Sequence, residues 1–178
     1  MTFQKPTLIK GKDFTDERGV FSQHWQIIDL ENLLNGAQFL QQNSSFSVHR
    51  GTFRGMHAQL EPFAQGKLIR CLRGRILDVL IDIRSDSRAI GEIYSYELGK
   101  NFNACLYVPP GFLHGFLTLE DNTEITYLCT EIYNPRCEIS VNILNIDVPF
   151  TWPIPVTQFI MSEKDKAGVD LDTILMRS

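Results

Sequence analysis

Ile76-Leu77-Asp78-Val79-Leu80-Ile81-Asp82-Ile83 alternates strictly in sidedness when laid out as an extended chain. A period of two sends Leu77, Val79, Ile81 and Ile83 to one face and Ile76, Asp78, Leu80 and Asp82 to the other. Two carboxylates on a half-apolar face have two explanations. The commoner is a solvated outer face; the other is the polar lining of a barrel interior that holds a small molecule. Outward from this segment, turn residues punctuate further short runs of β-branched and aromatic residues, at Lys67 to Leu72, Ile93 to Leu98, Leu106 to Val108, Phe116 to Leu119, Glu124 to Cys129 and Ile139 to Leu144. This is the pattern of an all-β sandwich or barrel. A short connecting helix is expected at Asp29 to Leu34, with Asp29 as its cap, Leu30, Leu33 and Leu34 as an apolar stripe and Gly36 as its stop.

The 178 residues, 43% hydrophobic and 21% charged, suit one well-cored domain spanning 1–178. A formal net charge of -4, with no block of Lys and Arg, argues against a nucleic-acid partner. Cys71, Cys105, Cys129 and Cys137 form no CxxC pair, and three of them lie in apolar runs, as free thiols in a reducing cytoplasm do. Met1 to Asp13 has no basic-then-apolar signal pattern and no later run reaches membrane-spanning length, so a soluble protein without a membrane partner is expected.

Five parts of the chain carry possible chemistry. In Arg54-Gly55-Met56-His57-Ala58-Gln59, His57 titrates near neutral pH and can accept a proton if a neighbour fixes its tautomer, although a single strand histidine is more often structural. Lys67 opens the strand ten residues on, where an ordinary strand-edge lysine would keep its ammonium in water. Pro109-Pro110-Gly111-Phe112-Leu113-His114-Gly115-Phe116 feeds His114 from a turn into the mouth of an apolar barrel. It is similar to the second half of the metal signature of cupins, jelly-roll barrels that often hold a metal through three histidines and a glutamate. The first half of that signature needs His-x-His, and Gln59 stands where the second histidine belongs, so a metal-free barrel is expected. Tyr127 shares a strand face with Ile125 and Cys129, and a phenol with pKa near ~10 can act as a general acid. Asp165, in Ser162-Glu163-Lys164-Asp165, is either a carboxylate that orients a histidine or an exposed one at a helix start.

Taken together, Asp16 to Phe21, Gln41 to Ser47, Arg54 to His57, Gly66 to Leu68, Gly74 to Val79, Asp82 to Arg84, Pro109 to Phe116, Tyr127, Tyr133 to Pro135, Trp152-Pro153 and Ser162 to Asp165 are motifs in the order of one family. The chain resembles the dTDP-4-dehydrorhamnose 3,5-epimerases over nearly its whole length. The resemblance implies a cupin-like jelly roll with a few short helices, and inversion at C5 and often C3 of a nucleoside-diphosphate 4-keto-6-deoxyhexose, most simply dTDP-4-dehydro-6-deoxy-D-glucose. Protons beside a ketone are acidic because the resulting anion delocalises onto the keto oxygen, so a base and a cationic site are needed and no cofactor is. The resemblance implies His57 as base with Asp165 as its partner. It also implies Lys67 and His114 at the keto oxygen and Tyr127 as the acid on the opposite face. Arg54, Gln41 and Asn43 would contact substrate, and a homodimer would carry Arg18 and Phe21 into the neighbouring site. Two positions depart from the pattern. Gln23 replaces a glutamate and Ile132 an aromatic, and an amide that both donates and accepts would suit another base such as cytosine. The alternatives are a single-centre epimerase on a CDP-linked sugar, a ketoisomerase, a metal-dependent cupin enzyme, or a sugar-nucleotide-binding barrel without turnover.

Overall fold

A computed structural model of the chain describes residues 4–100 and 102–176. Met1–Phe3, the start of the stretch read for a targeting signal, lie outside them. The strands are β1 (Thr7–Lys10), β2 (Lys12–Asp16), β3 (Gly19–Gln23), β4 (Gln41–Ser47), β5 (Phe53–Gln59), β6 (Lys67–Arg73), β7 (Arg75–Asp82), β8 (Ile93–Gly99), β9 (Ala104–Val108), β10 (Phe112–Thr118), β11 (Thr123–Cys129) and β12 (Glu138–Ser140). Three short helices join them, α1 (Ile27–Leu34), α2 (Glu163–Lys166) and α3 (Leu171–Leu175). One five-stranded sheet has the order β1-β9-β6-β11-β4, the other β12-β5-β10-β7-β8. Every strand pair within them is antiparallel, and the chain crosses repeatedly from one sheet to the other, the jelly-roll arrangement.

Three apolar layers form around these sheets. Between them lie Ile69, Ile76, Leu80, Leu106, Phe112, Phe116 and Ile125. The outer face of the second sheet, with Val79, Ile81, Leu113 and Phe53, is covered by the C-terminal segment through Ile143, Ile154, Met161 and Ile174. The outer face of the first is covered by α1, whose Leu30 and Leu34 meet Ile9, Leu68 and Tyr107. The segment 76–83 is therefore buried on both sides. Asp78 and Asp82 face the interior with Ile76 and Leu80 and are 0% exposed. The solvated-face explanation fails.

Several boundaries differ from the sequence reading, for identifiable reasons. The helix starts earlier: Gln26 is its cap, and Asp29 takes the third helical position, its carboxylate accepting from Gln26 N at 2.8 Å. Asn35 then closes the helix in a left-handed conformation with φ 47°, ahead of Gly36. The strand expected from Phe116 begins at Phe112, placing His114 mid-strand and buried instead of at the barrel mouth. The run Ile139 to Leu144 is a short strand followed by a 3-10 turn at Ile143–Asn145. Strand β4, Gln-Gln-Asn-Ser-Ser-Phe-Ser, gave no hydrophobic alternation because its inward residues meet a polar cavity.

Strand β5, the strand that carries His57, is irregular. Phe116 pairs with Arg54 and His114 with His57, so two steps of β10 match three of β5. This is a β-bulge at Gly55 and Met56. Directly paired residues point to the same face, so the extra residue turns Arg54 and His57 to one side, where unbroken alternation would have separated them. Gly55 has φ +113°, and a Cβ there would come 2.6 Å from the His114 carbonyl oxygen and 2.7 Å from Gly115 Cα. Gly55→Ala should therefore lower the unfolding free energy by roughly 2 kcal/mol or more. Urea denaturation checks this, and an unchanged midpoint would contradict the close approach.

Candidate active site

A cavity of about 570 Å³ opens between the two sheets, lined by Arg54, His57, Lys67, His114, Phe116, Tyr127, Ser162, Lys164 and Asp165 among others. A smaller lobe of about 120 Å³ continues past His57, Lys67 and Tyr127 to Gln41, Asn43, Tyr133 and Glu138. His57 comes from β5 and His114 from β10 in one sheet; Lys67 from β6 and Tyr127 from β11 belong to the other. A ligand between the sheets meets a histidine on one side and a phenol on the other.

His57 Nε2 lies 2.8 Å from Asp165 Oδ1. A carboxylate only accepts, so the imidazole donates this bond and the ring nitrogen facing away from Asp165 keeps its lone pair in the neutral form. The same carboxylate's Oδ2 accepts from Gly55 N at 3.3 Å, a main-chain group within the bulge. Asp165 is brought there by α2, capped by Ser162, whose hydroxyl accepts from Asp165 N at 3.1 Å. Upstream, the C-terminal segment is fastened by Phe53 and Phe159, stacked at 5.6 Å, with Trp152 edge-on to both. Asp165 is thus buried, at 4% exposure, and not the exposed helix-start carboxylate. Burial lowers the His57 pKa below its usual 6.5, against the opposing pull of Asp165 and Glu138.

Lys67 sits at the start of a central strand, not in water at an edge. Burial pushes its pKa down, while Cys129, Asp78 and Glu138 act in the other direction. His114 Nε2 lies 2.7 Å from Asp78 Oδ1, both side chains buried, in a close contact that is not an in-line hydrogen bond. Tyr127 has its pKa raised, chiefly by burial, which keeps the phenol protonated at neutral pH. Gln41 Nε2 donates to Asn43 Oδ1 at 2.9 Å, and Gln41 Oε1 accepts from Tyr133 N at 2.9 Å. Arg54 lies on the rim, its Nε donating to Ser47 Oγ at 3.2 Å.

Three of the expected substrate contacts are elsewhere. Arg18, Phe21 and Gln23 lie on the β2–β3 hairpin, which pairs with neither large sheet and projects from the barrel. Arg18 forms an ion pair with Asp16 at 2.6 Å, Phe21 is 72% exposed, and the Gln23 amide oxygen accepts from Gln26 Nε2 at 2.7 Å. None of them lines this chain's own cavity.

The donor set does not fit a cupin metal. His57 and His114 are opposite one another in register, but His57 Nε2 is bonded to the Asp165 carboxylate, His114 Nε2 faces Asp78 at 2.7 Å, and the Gln59 amide is bound to main chain. Among the described residues no group of three or more His, Cys, Asp and Glu side chains is arranged to hold a metal ion.

The family model for dTDP-4-dehydrorhamnose 3,5-epimerase matches residues 1–173. The chain belongs to this family. It is 39% identical to the dTDP-4-dehydrorhamnose 3,5-epimerase of Sinorhizobium fredii, over 92% of this chain and 84% of that protein. The crystal structure of the Elizabethkingia anophelis enzyme of the same name superposes with a TM-score of 0.88 at 35% identity, covering 97% of this chain and 94% of the other. The dTDP-6-deoxy-D-glucose-3,5-epimerase of Legionella pneumophila, solved with dTDP-4-keto-L-rhamnose, gives a TM-score of 0.86 at 34% identity, covering 97% and 90%. The cupin-like jelly roll expected from the motifs is the fold observed, and the family is one of isomerases.

Sequence reasoning did not assign Asp78, Glu138 or Lys164 to the site of this family member. Asp78 had a signal, as a carboxylate in an apolar strand. Lys164 lay within the Ser162 to Asp165 motif without an assigned role, and Glu138 had no signal, because their ion pair at 2.5 Å joins residues 26 apart at the cavity wall. Glu138 also accepts from the Tyr133 hydroxyl at 2.9 Å.

Removing the Asp165 charge takes away a contribution that raises the His57 pKa. In Asp165→Asn the imidazole should therefore titrate at lower pH than in the unaltered protein, itself below 6.5. NMR titration of the His57 ring measures both, and an upward shift in the variant would contradict the geometry.

Proposed function

We propose that this chain inverts C5 and C3 of dTDP-4-dehydro-6-deoxy-D-glucose, giving dTDP-4-dehydro-L-rhamnose. The observation that carries the reading is the placement of His57 and Tyr127 on opposite sheets around one cavity. The relatives' names and the Legionella complex support the substrate. His57, oriented by Asp165, removes the proton beside the ketone. Charge passes to the keto oxygen, where Lys67 and His114, with Asp78 behind them, stabilise the enolate. Tyr127 returns a proton from the other face, which inverts the centre. The substrate's own ketone is the electron sink, so neither metal nor cofactor takes part. Arg54 and Lys164 offer positive charge at the cavity for the diphosphate. The smaller lobe, with Gln41, Asn43 and the exposed Tyr133 ring, suits the nucleoside.

The whole chain acts as one catalytic domain, and two copies pair. The projecting hairpin exposes Phe14, Val20 and Phe21, with the Phe14 and Phe21 rings 6.1 Å apart. A two-stranded ribbon alone is marginal in water, and apolar side chains on it need a partner surface. Reaching into the second copy's cavity would give Arg18, Phe21 and Gln23 the contacts they lack in their own. The four cysteines are free thiols, in keeping with a reducing cytoplasm, and no helix among the described residues is long and apolar enough to cross a membrane.

Incubation with dTDP-4-dehydro-6-deoxy-D-glucose in deuterated water should label C3 and C5, with NMR showing both centres inverted. Label without inversion, or at one centre only, would overturn the double epimerisation. His57→Asn should abolish exchange while leaving dTDP binding nearly intact. Tyr127→Phe should retain exchange and lose inversion at C5. Mixing His57→Asn with Arg18→Ala, each nearly inactive alone, should restore about a quarter of the sites by forming mixed dimers. Absence of recovery after subunit exchange would count against the shared site.

A further inference from the structure

Gln59 stands where the second histidine of a cupin metal signature belongs, and the proposed chemistry gives it no task. It is nevertheless fully engaged. At 7% exposure, its Nε2 donates to Phe63 O at 2.5 Å and to Ile132 O at 3.0 Å, while Oε1 accepts from Asn134 N at 2.8 Å. Both N–H groups and the carbonyl oxygen of the amide are thus used. A carboxylate of the same length could not donate at all, and an imidazole could not direct two N–H groups from one nitrogen.

The main chain at the same place holds the far end of the same segment. Gln59 is opposite Glu138 in the β5–β12 ladder, and Leu60 N donates to Cys137 O at 2.9 Å. Residues 132–138 therefore leave and return at the end of β5. Between these points the segment is drawn tight, with Cys137 N donating to Asn134 O at 3.1 Å and Arg136 N to Asn134 Oδ1 at 3.1 Å. It carries Tyr133, half exposed, with its hydroxyl on Glu138, and both line the smaller lobe of the cavity. The neighbouring main-chain tethers to side chains, Tyr133 N on Gln41 Oε1 and Glu131 O on Gln65 Nε2, come from residues that line the lobe, as Gln59 itself does.

We propose that Gln59 is a positioning residue for nucleotide recognition, clamping the main chain at Ile132 and Asn134 so that Tyr133 and Glu138 stand where the nucleoside end of the substrate binds. This rests on the nucleotide-sugar reading of the cavity. The position that supplies a metal ligand in other cupins here supplies the anchor of a binding wall, and acts on affinity and not on proton transfer.

Gln59→Met removes both donors and the acceptor at similar volume and without adding charge beside His57. In calorimetry it should bind dTDP about tenfold more weakly, the scale of one or two lost hydrogen bonds. With the 4-keto sugar nucleotide, KM should rise by a similar factor and kcat stay within about twofold. A folded variant with unchanged dTDP affinity, or one in which kcat falls at constant KM, overturns the proposal. The unaltered protein without ligand gives a second test that needs no substitution. The Asn134 amide should be protected from hydrogen exchange, and exchange at the rate of an open chain overturns the anchor. Protection of Asn134 in a protein that binds no dTDP would uphold the anchor and count against the nucleotide-sugar reading.

Discussion

The arrangement at the cavity depends on one extra residue in β5. Between Arg54 and His57 the chain takes three steps where its neighbour β10 takes two, and the surplus brings a cationic side chain and an imidazole to one face. The bulge is possible because Gly55 and Gly115 face each other without side chains; a Cβ on either would meet the opposite strand. The bulge also places Gly55 N against the Asp165 carboxylate, which holds His57 with its other oxygen. One backbone irregularity thus supplies the orientation of the imidazole, the docking of α2 and the placement of Arg54.

Around that point the jelly roll supplies two walls of different character. Its interior is apolar around Leu80, Leu106 and Phe112 and polar where His114, Lys67 and Tyr127 line the cavity, with Asp78 beside His114. Burial acts on these groups with opposite signs. It favours the neutral imidazole of His57 and the neutral phenol of Tyr127, the forms that accept and give a proton, while the acidic groups near Lys67 oppose its loss of charge. Proton transfer beside a ketone requires this combination. The proposed reaction therefore follows from the solvation of each group as much as from its identity.

The hairpin and the 132–138 segment relate to the cavity in different ways. The first projects away and completes a site only if a second copy accepts it. The second is held at its main chain by Gln59, which also lines the lobe. The 132–138 segment flanks the lobe proposed for the nucleoside, and the hairpin would reach such a lobe only in a second copy. The departures at Gln23 and Ile132 fall on these two elements, and neither alters the His57, Asp165, Lys67 and Tyr127 set.

The sequence by itself determined the fold class and the family. Alternation in 76–83 and turn spacing define strands locally, and the ordered motifs identify relatives without reference to contacts. It also supplied His57, Lys67, Tyr127 and Asp165 as residue types suited to the chemistry. Strand β4 was illegible because a strand with a polar cavity on one face has no hydrophobic period, and the bulge in β5 because it breaks the period where the histidine lies. Only the tertiary structure decided which explanation of Asp78 holds, since burial depends on the sheet packed opposite. It likewise decided that Gln59 is an anchor and that Glu138 and Lys164 belong to the cavity wall. Those roles arise from hydrogen bonds and ion pairs between distant residues, which no local pattern encodes.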